Sequence, residues 1–508
     1  MRIFPSPTPG RARTRASLAA LAALGLLGTG CFAGGSEHSG GKNGDSGRLD
    51  LALAFPPVKQ MSPFSDDAFL LAKIGAAEPL TRLDEDGEVR PLLAKSWKQA
   101  GDEEWELKLR DDVTFHDGTR LTARHVADAL NHASDASPKP RSLTGIDLKA
   151  EADGKHKVTV KTGKADPILP QRLSAPETAI LAPDAYAEDV KSPDPTGAGT
   201  GPFELTGLAG KSAKLDAHEK YWGGSPKADG LDVRFVEDDA SRVGGLRTGE
   251  ADIVDAVPIA EAGNISGGKL TEVKVPRTVG MLLNNKRGVF TDPELRAAAT
   301  GAVRGGPIVK GVYEGKADPV DGLFGPVTEW AEDRPKVEPE AEPGKPKGEK
   351  ISLATYDDRP ELPEAASSVA EDLRKAGFKV DITVKDFATM ETDLMEGEYD
   401  AVIGTRSYLI ETNDPIGYLA SDWSCDGSYN IAQFCDKEID KKISEAAGEA
   451  AVERRAKAAS EIEADILATQ SFVPLAAERA RIGVADGVNG VANDPIERSL
   501  ITRETHKK

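Results

Sequence analysis

From Leu49 onward, stretches that alternate apolar and polar side chains are interleaved with stretches of helical period. Leu49-Asp50-Leu51-Ala52-Leu53 alternates with period two, as a strand with one buried face does. Trp105 to Leu109 and Lys157 to Lys161 do the same, and Asp153-Gly154 supplies the turn before the latter. Thr122 is placed to cap a helix running through Asn131, with Val126, Ala129 and Leu130 on its apolar face. Further on, a strand is expected from Ile351 and a helix from Pro363 to Ala376, closed by Gly377. An alternating strand follows from Phe378 to Val384, then helices near 436–447 and 452–469. A Pro/Glu/Lys-rich stretch from Asp333 to Lys350 reads as extended loop. The pattern is that of an α/β protein.

Two distant segments share one pattern. Leu246, Gly249, Glu250, Asp252 and Val254 have the same spacing as Leu394, Gly397, Glu398, Asp400 and Val402. A helix that ends on a left-handed glycine and turns into a buried strand has this signature. It marks either two similar αβ lobes, with a cleft between them, or a common αβ turn used twice.

Composition narrows the function. The 508 residues exceed what one core usually serves. The formal charge is −20, and the first thirty residues hold four arginines and no acid, so the remainder is more negative still. Such a surface repels phosphate backbones, so no nucleic-acid partner is expected. Arg2, Arg11, Arg13 and Arg15 precede a short apolar run, Ala16 to Gly30, the form of an export signal. The break at Cys31 resembles a bacterial lipobox, with Gly28 where a bulky residue is usual. Residues 31–48 are Gly/Ser-rich and read as a leash from a lipidated Cys31. Asp45-Ser46-Gly47 looks like a protease nucleophile loop, but a solvated leash has neither base nor oxyanion hole.

Several motifs in order resemble one family. They are Glu78-Pro79-Leu80, then Phe115-His116-Asp117-Gly118, Gly199-Thr200-Gly201-Pro202-Phe203, Tyr221-Trp222-Gly223-Gly224, and Phe290 to Arg296. Together they resemble the bacterial extracellular solute-binding proteins, family 5, which include the dipeptide, oligopeptide and nickel receptors of ATP-driven importers. The motifs themselves read as structural: Phe115 to Gly118 as a turn, Gly199 and Gly201 as turn glycines rather than a phosphate cradle. The resemblance implies a bilobal periplasmic-binding-protein-like fold, type II, of the large three-domain cluster. Lobe I would be 49–77, 197–277 and 478–508, with an inserted domain at 78–196 and lobe II at 278–477. Two hinge crossings are expected, near Val279–Leu283 and Pro474–Glu478.

The resemblance also implies where a ligand sits. In peptide-binding members an aspartate of lobe II pairs with the ligand's ammonium. Glu411 stands at that position here and Tyr408 at that of a tryptophan. Trp423, Tyr429 and Asn430 follow in the segment that would line the cleft, Trp423 fitting a core position equally well. Asn284 and Asn285 follow the first crossing and are candidates to bind a ligand backbone. Cys425 and Cys435 flank this loop and are expected to form a disulfide in an exported protein. No histidine lies between His218 and His506, so a histidine-built nickel or zinc site in lobe II is not expected. No catalytic group and no cofactor are expected. The expected role is a monomeric, lipid-anchored receptor at the extracellular face of the membrane. It would bind a small solute, a peptide first of all, and deliver it to an ABC permease and its ATPase. The alternatives are a metal chelate or sugar as solute, a sensory receptor of the same fold, and an exported hydrolase, for which no nucleophile–base pair is visible.

Overall fold

The computed structural model describes residues 47–84, 87–303 and 308–508. The export segment, the candidate lipidation site Cys31 and nearly all of the leash lie outside the described residues. Among the described residues, ten strands form one mixed sheet. From edge to edge they are Lys379–Lys385, Lys350–Tyr356, Ala401–Ser407, Gly268–Leu283, Phe472–Ala485, Ile253–Val254, Arg48–Leu53, Gly230–Phe235, Ser212–Ala217 and Phe203–Ala209.

Gly268–Leu283 and Phe472–Ala485 pair antiparallel and belong to both halves of this sheet. The first takes Ala401–Ser407 along Arg277–Leu283. The second takes Ile253–Val254 at Gly483 and Val484. Between the halves their register shifts, once between Lys274 and Thr278 and again between Val279 and Gly280. Pro276 lies in the first gap and Pro474 faces Gly280 beyond the second. Proline has no N–H to give a ladder, so the pairing is weakest where the chain crosses.

Each half has its own core. Leu49, Leu51, Leu53, Leu130, Phe203 and Leu231 are buried together on one side. Val279, Leu353, Val369, Leu373 and Ile403 are buried on the other, beside a third cluster around Trp423, Ile443 and Ile466. Each such side chain contributes roughly 1.5–3 kcal/mol by leaving water. The helix begun by Thr122 spans Ala123–Asp135, with the Thr122 hydroxyl accepting from the His125 N–H. It packs on a small sheet of Ala94–Gly101, Glu104–Leu109, Lys157–Lys161 and Lys149–Ala152.

The repeated pattern does the same work in both halves. The helix Asp239–Thr248 ends at Gly249 with φ +76°. The helix Phe387–Met395 ends just before Gly397, φ +68°. Asp252 then accepts a hydrogen bond from the Asp50 N–H at 3.0 Å, and Asp400 from the Ser352 N–H at 2.8 Å. In each half the aspartate ties the incoming strand to a parallel neighbour.

Three of the motifs converge on one buried carboxylate, while Phe290 to Arg296 belongs to the other core, where the Arg296 guanidinium donates to the Thr469 carbonyl. Glu78 accepts from the Thr200 hydroxyl, the Tyr221 hydroxyl and the Trp222 indole, at 2.9, 2.7 and 2.9 Å. The Arg110 guanidinium lies 4.0 Å over the Trp222 ring. Gly199 and Gly201 run against the Ala76 and Gly75 backbone so closely that a Cβ would sit 2.0 and 2.2 Å from their carbonyl oxygens. The His116 ring lies on the Gly201 carbonyl at 3.0 Å. These glycines are therefore close-approach positions. Burial pushes the Glu78 carboxyl up to about 7, against the hydrogen bonds donated to it. Between pH 4.5 and about 7 the folded chain therefore retains a proton that the unfolded chain loses. Stability from this group is therefore greatest at low pH and falls as pH rises through the folded value. Glu78→Gln is expected to flatten the fall in melting temperature between about pH 5 and pH 8 relative to wild type. Parallel curves for the two proteins would refute the assignment.

Candidate functional site

The strand Ala401–Ser407 is buried from Ala401 to Gly404 and half-buried from Thr405 to its last residues, Arg406 and Ser407. The loop after it is pinned at both ends. Tyr408 is buried, and its hydroxyl accepts from the Gly325 N–H and pairs with the Thr328 hydroxyl, both at 2.8 Å. Asp414 caps the helix Pro415–Asp422 and is held by the buried guanidinium of Arg455. Tyr408 is thus a post set in the core, where a cleft aromatic was expected.

Glu411 sits in this loop at 8% exposure. Its Oε1 lies 3.1 Å from Arg406 Nη2 and 3.2 Å from Arg141 Nε. Burial acts to raise its pKa, but Arg406 and Arg141 overcome this and hold it below the usual carboxylate value. Arg406 also makes a two-pronged pair with Asp422, at 2.7 and 3.2 Å. Its guanidinium lies 5.1 Å from the Tyr429 ring centre and 5.7 Å from that of Tyr418. Of the seven candidates, Glu411 and Tyr429 meet at this cation.

Three contacts tie the loop to chain from other regions. Arg141, which carries Glu411, also binds Asp66 at 2.6 Å. Asn413 donates to the Gly87 carbonyl at 3.1 Å. Arg498 donates twice to the Ile410 carbonyl and once each to the Ser174 carbonyl and hydroxyl. Its burial lowers its pKa to about 10. A second charged group lies nearby. Glu478, on the crossing strand, accepts from Tyr313 and Thr405 at 3.3 and 3.2 Å. It faces Arg277 at 3.7 Å and Arg359 at 3.9 Å. Arg277 also pairs with Glu497. Arg359 differs: among the described residues that long contact is its only ion pair, its side chain is 27% exposed, and it lies 5.9 Å over the Phe55 ring.

The other candidates are placed structurally. Trp423 is 1% exposed, donates to the Tyr418 hydroxyl at 3.0 Å and packs on Phe434 and Phe472. Asn284 donates to the Gly397 and Tyr399 carbonyls and accepts from the Lys286 and Arg287 N–H groups. Asn285 donates to Leu283 and Ala432 and accepts from Ser471. Asn430 donates to Ser424 and Phe434 and accepts from the Phe434 N–H. These three amides hold turns, and the structure does not bring them to Arg406. Cys425 and Cys435 form a disulfide around the Asn430 turn. The arginines were missed because 64 basic residues carry no motif. The available signal was Arg406 itself, a lone charge soon after the apolar run Ala401–Ile403. No group of three or more metal-ligating side chains occurs among the described residues.

Two sheet halves, joined by two crossing strands and presenting charged groups to one another, define a two-lobed solute-binding protein. Residues 88–430 match the model of the bacterial extracellular solute-binding proteins, family 5 Middle, and the chain belongs to this family. It is the solute-binding protein of an ABC importer, acts outside the cytoplasm and is not an enzyme. The nickel-binding protein NikA of Staphylococcus aureus is 28% identical over 449 residues, 84% of this chain and 86% of that one. The probable D,D-dipeptide-binding periplasmic protein DdpA of Escherichia coli is 24% identical, covering 82% and 84%. The structure of S. aureus NikA with Ni(L-His)2 superposes with TM-score 0.78 at 24% identity, over 91% of this chain and all of that one. A dipeptide-binding protein from Pseudoalteromonas with Met-Leu gives 0.79 at 18% identity and the same coverage. These likenesses show the periplasmic-binding-protein fold.

The disulfide closes a sequence separation of 10. Reducing it is expected to cost about 2–3 kcal/mol, read as a lower urea midpoint with an added reductant. An unchanged midpoint after verified reduction would show that the Asn430 hydrogen bonds hold the turn unaided.

Proposed function

We propose that the cleft takes a small amino-acid-derived solute of the short-peptide class, held through its carboxylate. Arg359 carries this reading. A guanidinium has five N–H donors in a fixed fork, suited to bidentate carboxylate binding. Arg277, Arg406 and Arg498 use theirs on protein groups, whereas Arg359 keeps one long ion pair and partial exposure. In this reading the body divides into lobe I, the inserted domain and lobe II at the boundaries expected from the sequence. It bends where the crossing strands change register. A solute touching both lobes favours the closed form, which the permease reads. Cys31 would be acylated and residues 31–48 would be the leash.

A second reading, a metal carried by an amino-acid chelator, is supported by the similarity to the nickel-binding protein. The chelator would supply the metal's ligands, since this chain has no histidine between His218 and His506.

The test is calorimetric titration of the mature protein with short peptides, their C-terminal amides, and Ni(II) with L-histidine. Arg359→Met is expected to weaken carboxylate ligands by about 30-fold or more, the cost of truncating one partner of an enclosed charge pair. Amidation should weaken binding to wild type similarly. Equal affinities for acid and amide would rule out the carboxylate anchor.

A further inference from the structure

We infer that Arg406 takes the place of a ligand's ammonium, so that the cleft selects solutes whose amine nitrogen carries no positive charge. The inference deepens the carboxylate-anchored reading and rests on it. In the peptide-binding pattern, the acidic residue at the position of Glu411 faces the solute. Here that carboxylate faces the chain's own guanidinium. Arg406 Nη2 lies 3.1 Å from Glu411 Oε1 and 3.2 Å from Asp422 Oδ2, and Nε lies 2.7 Å from Asp422 Oδ1. Both carboxylates are buried. Two aromatic rings, Tyr418 and Tyr429, flank the cation within 6 Å, which adds cation–π attraction. A second guanidinium, that of Arg141, reaches the same Glu411 oxygen at 3.2 Å.

A protonated amine entering this corner would meet two fixed cations at the carboxylate it needs. An amine acylated as an amide, or one whose lone pair is given to a metal ion, brings no such charge. Both chemistries share the feature that the site rewards, a nitrogen that carries no positive charge of its own. Discrimination by an unfavourable element built into the site is a common route to specificity. It also supplies a role for Glu411: it orients Arg406.

Four probes decide the matter on wild-type protein: Ala-Leu, N-acetyl-Ala-Leu, L-histidine, and Ni(II) with two equivalents of L-histidine. The expected result is that N-acetyl-Ala-Leu, the nickel complex, or both bind at least about tenfold more tightly than the free-amine counterpart. A preference for the acetyl peptide alone identifies acylated solutes, and one for the nickel complex alone identifies metal chelates. Equal or tighter binding of both free-amine probes overturns the proposal while leaving the carboxylate anchor intact, provided amidation still weakens binding. Binding by none of the four overturns both. Arg406→Met uncovers Glu411 and Asp422, and is expected to shift preference by about tenfold or more toward the free-amine probes. An unchanged preference in a folded variant counts against the proposal. The wild-type comparison stands whether or not this variant folds.

Discussion

The pairing of Gly268–Leu283 with Phe472–Ala485 is the constraint on which the molecule is built. These strands belong to both halves of the sheet, so the halves cannot separate, yet the ladder between them is interrupted at Pro276 and beside Pro474. In the proposed reading, interrupted pairing lets two well-packed cores move as units, because bending at the register shifts disturbs neither core. Glu478 lies on the second strand at this crossing and receives groups from both sides of it. The two-lobed arrangement is therefore a consequence of topology before any ligand group is considered.

Charge then decides what the cleft is suited to. A buried arginine or carboxylate without a partner is costly, so nearly every one here has found one. Arg498 answers backbone carbonyls, Asp414 answers Arg455, and Glu411 and Asp422 answer Arg406. Where partners are complete, a residue is architectural even if its type and position suggest binding. Arg359, with a single long ion pair among the described residues, is the exception on which the proposed carboxylate site rests. Glu78 is the same principle in the first core. Three donors hold its carboxylate, while burial still raises its pKa, and two of the family's motifs, at Thr200 and at Tyr221-Trp222, supply those donors.

Much of the fold was legible along the chain because it depends on local rules. The caps at Thr122 and Gly249, the alternation of Leu49 to Leu53, and the shared pattern at 246–254 and 394–402 each follow from backbone geometry within a few residues. The motifs that carried the family resemblance were legible for the same reason, since glycines in close approach leave no choice of side chain. The disulfide was legible because only two cysteines remain in the body. The crossing strands were not drawn at full length, because Pro276 and Pro474 break the alternation that identifies a strand.

By itself, then, the sequence determined an exported α/β binding protein of this family and the loop on which its charged corner is built. Tertiary structure alone decided which residues of that corner are available. Asn284, Asn285 and Asn430 are amides of the right kind, but carbonyls and N–H groups from neighbouring turns saturate them. Arg141 and Arg406 lie far apart along the chain, and only the packing of one region on another brings both to Glu411. Sequence patterns report what neighbours along the chain must do. Which donors and acceptors are already filled is settled by contacts between distant segments, and a binding site is made of those left over.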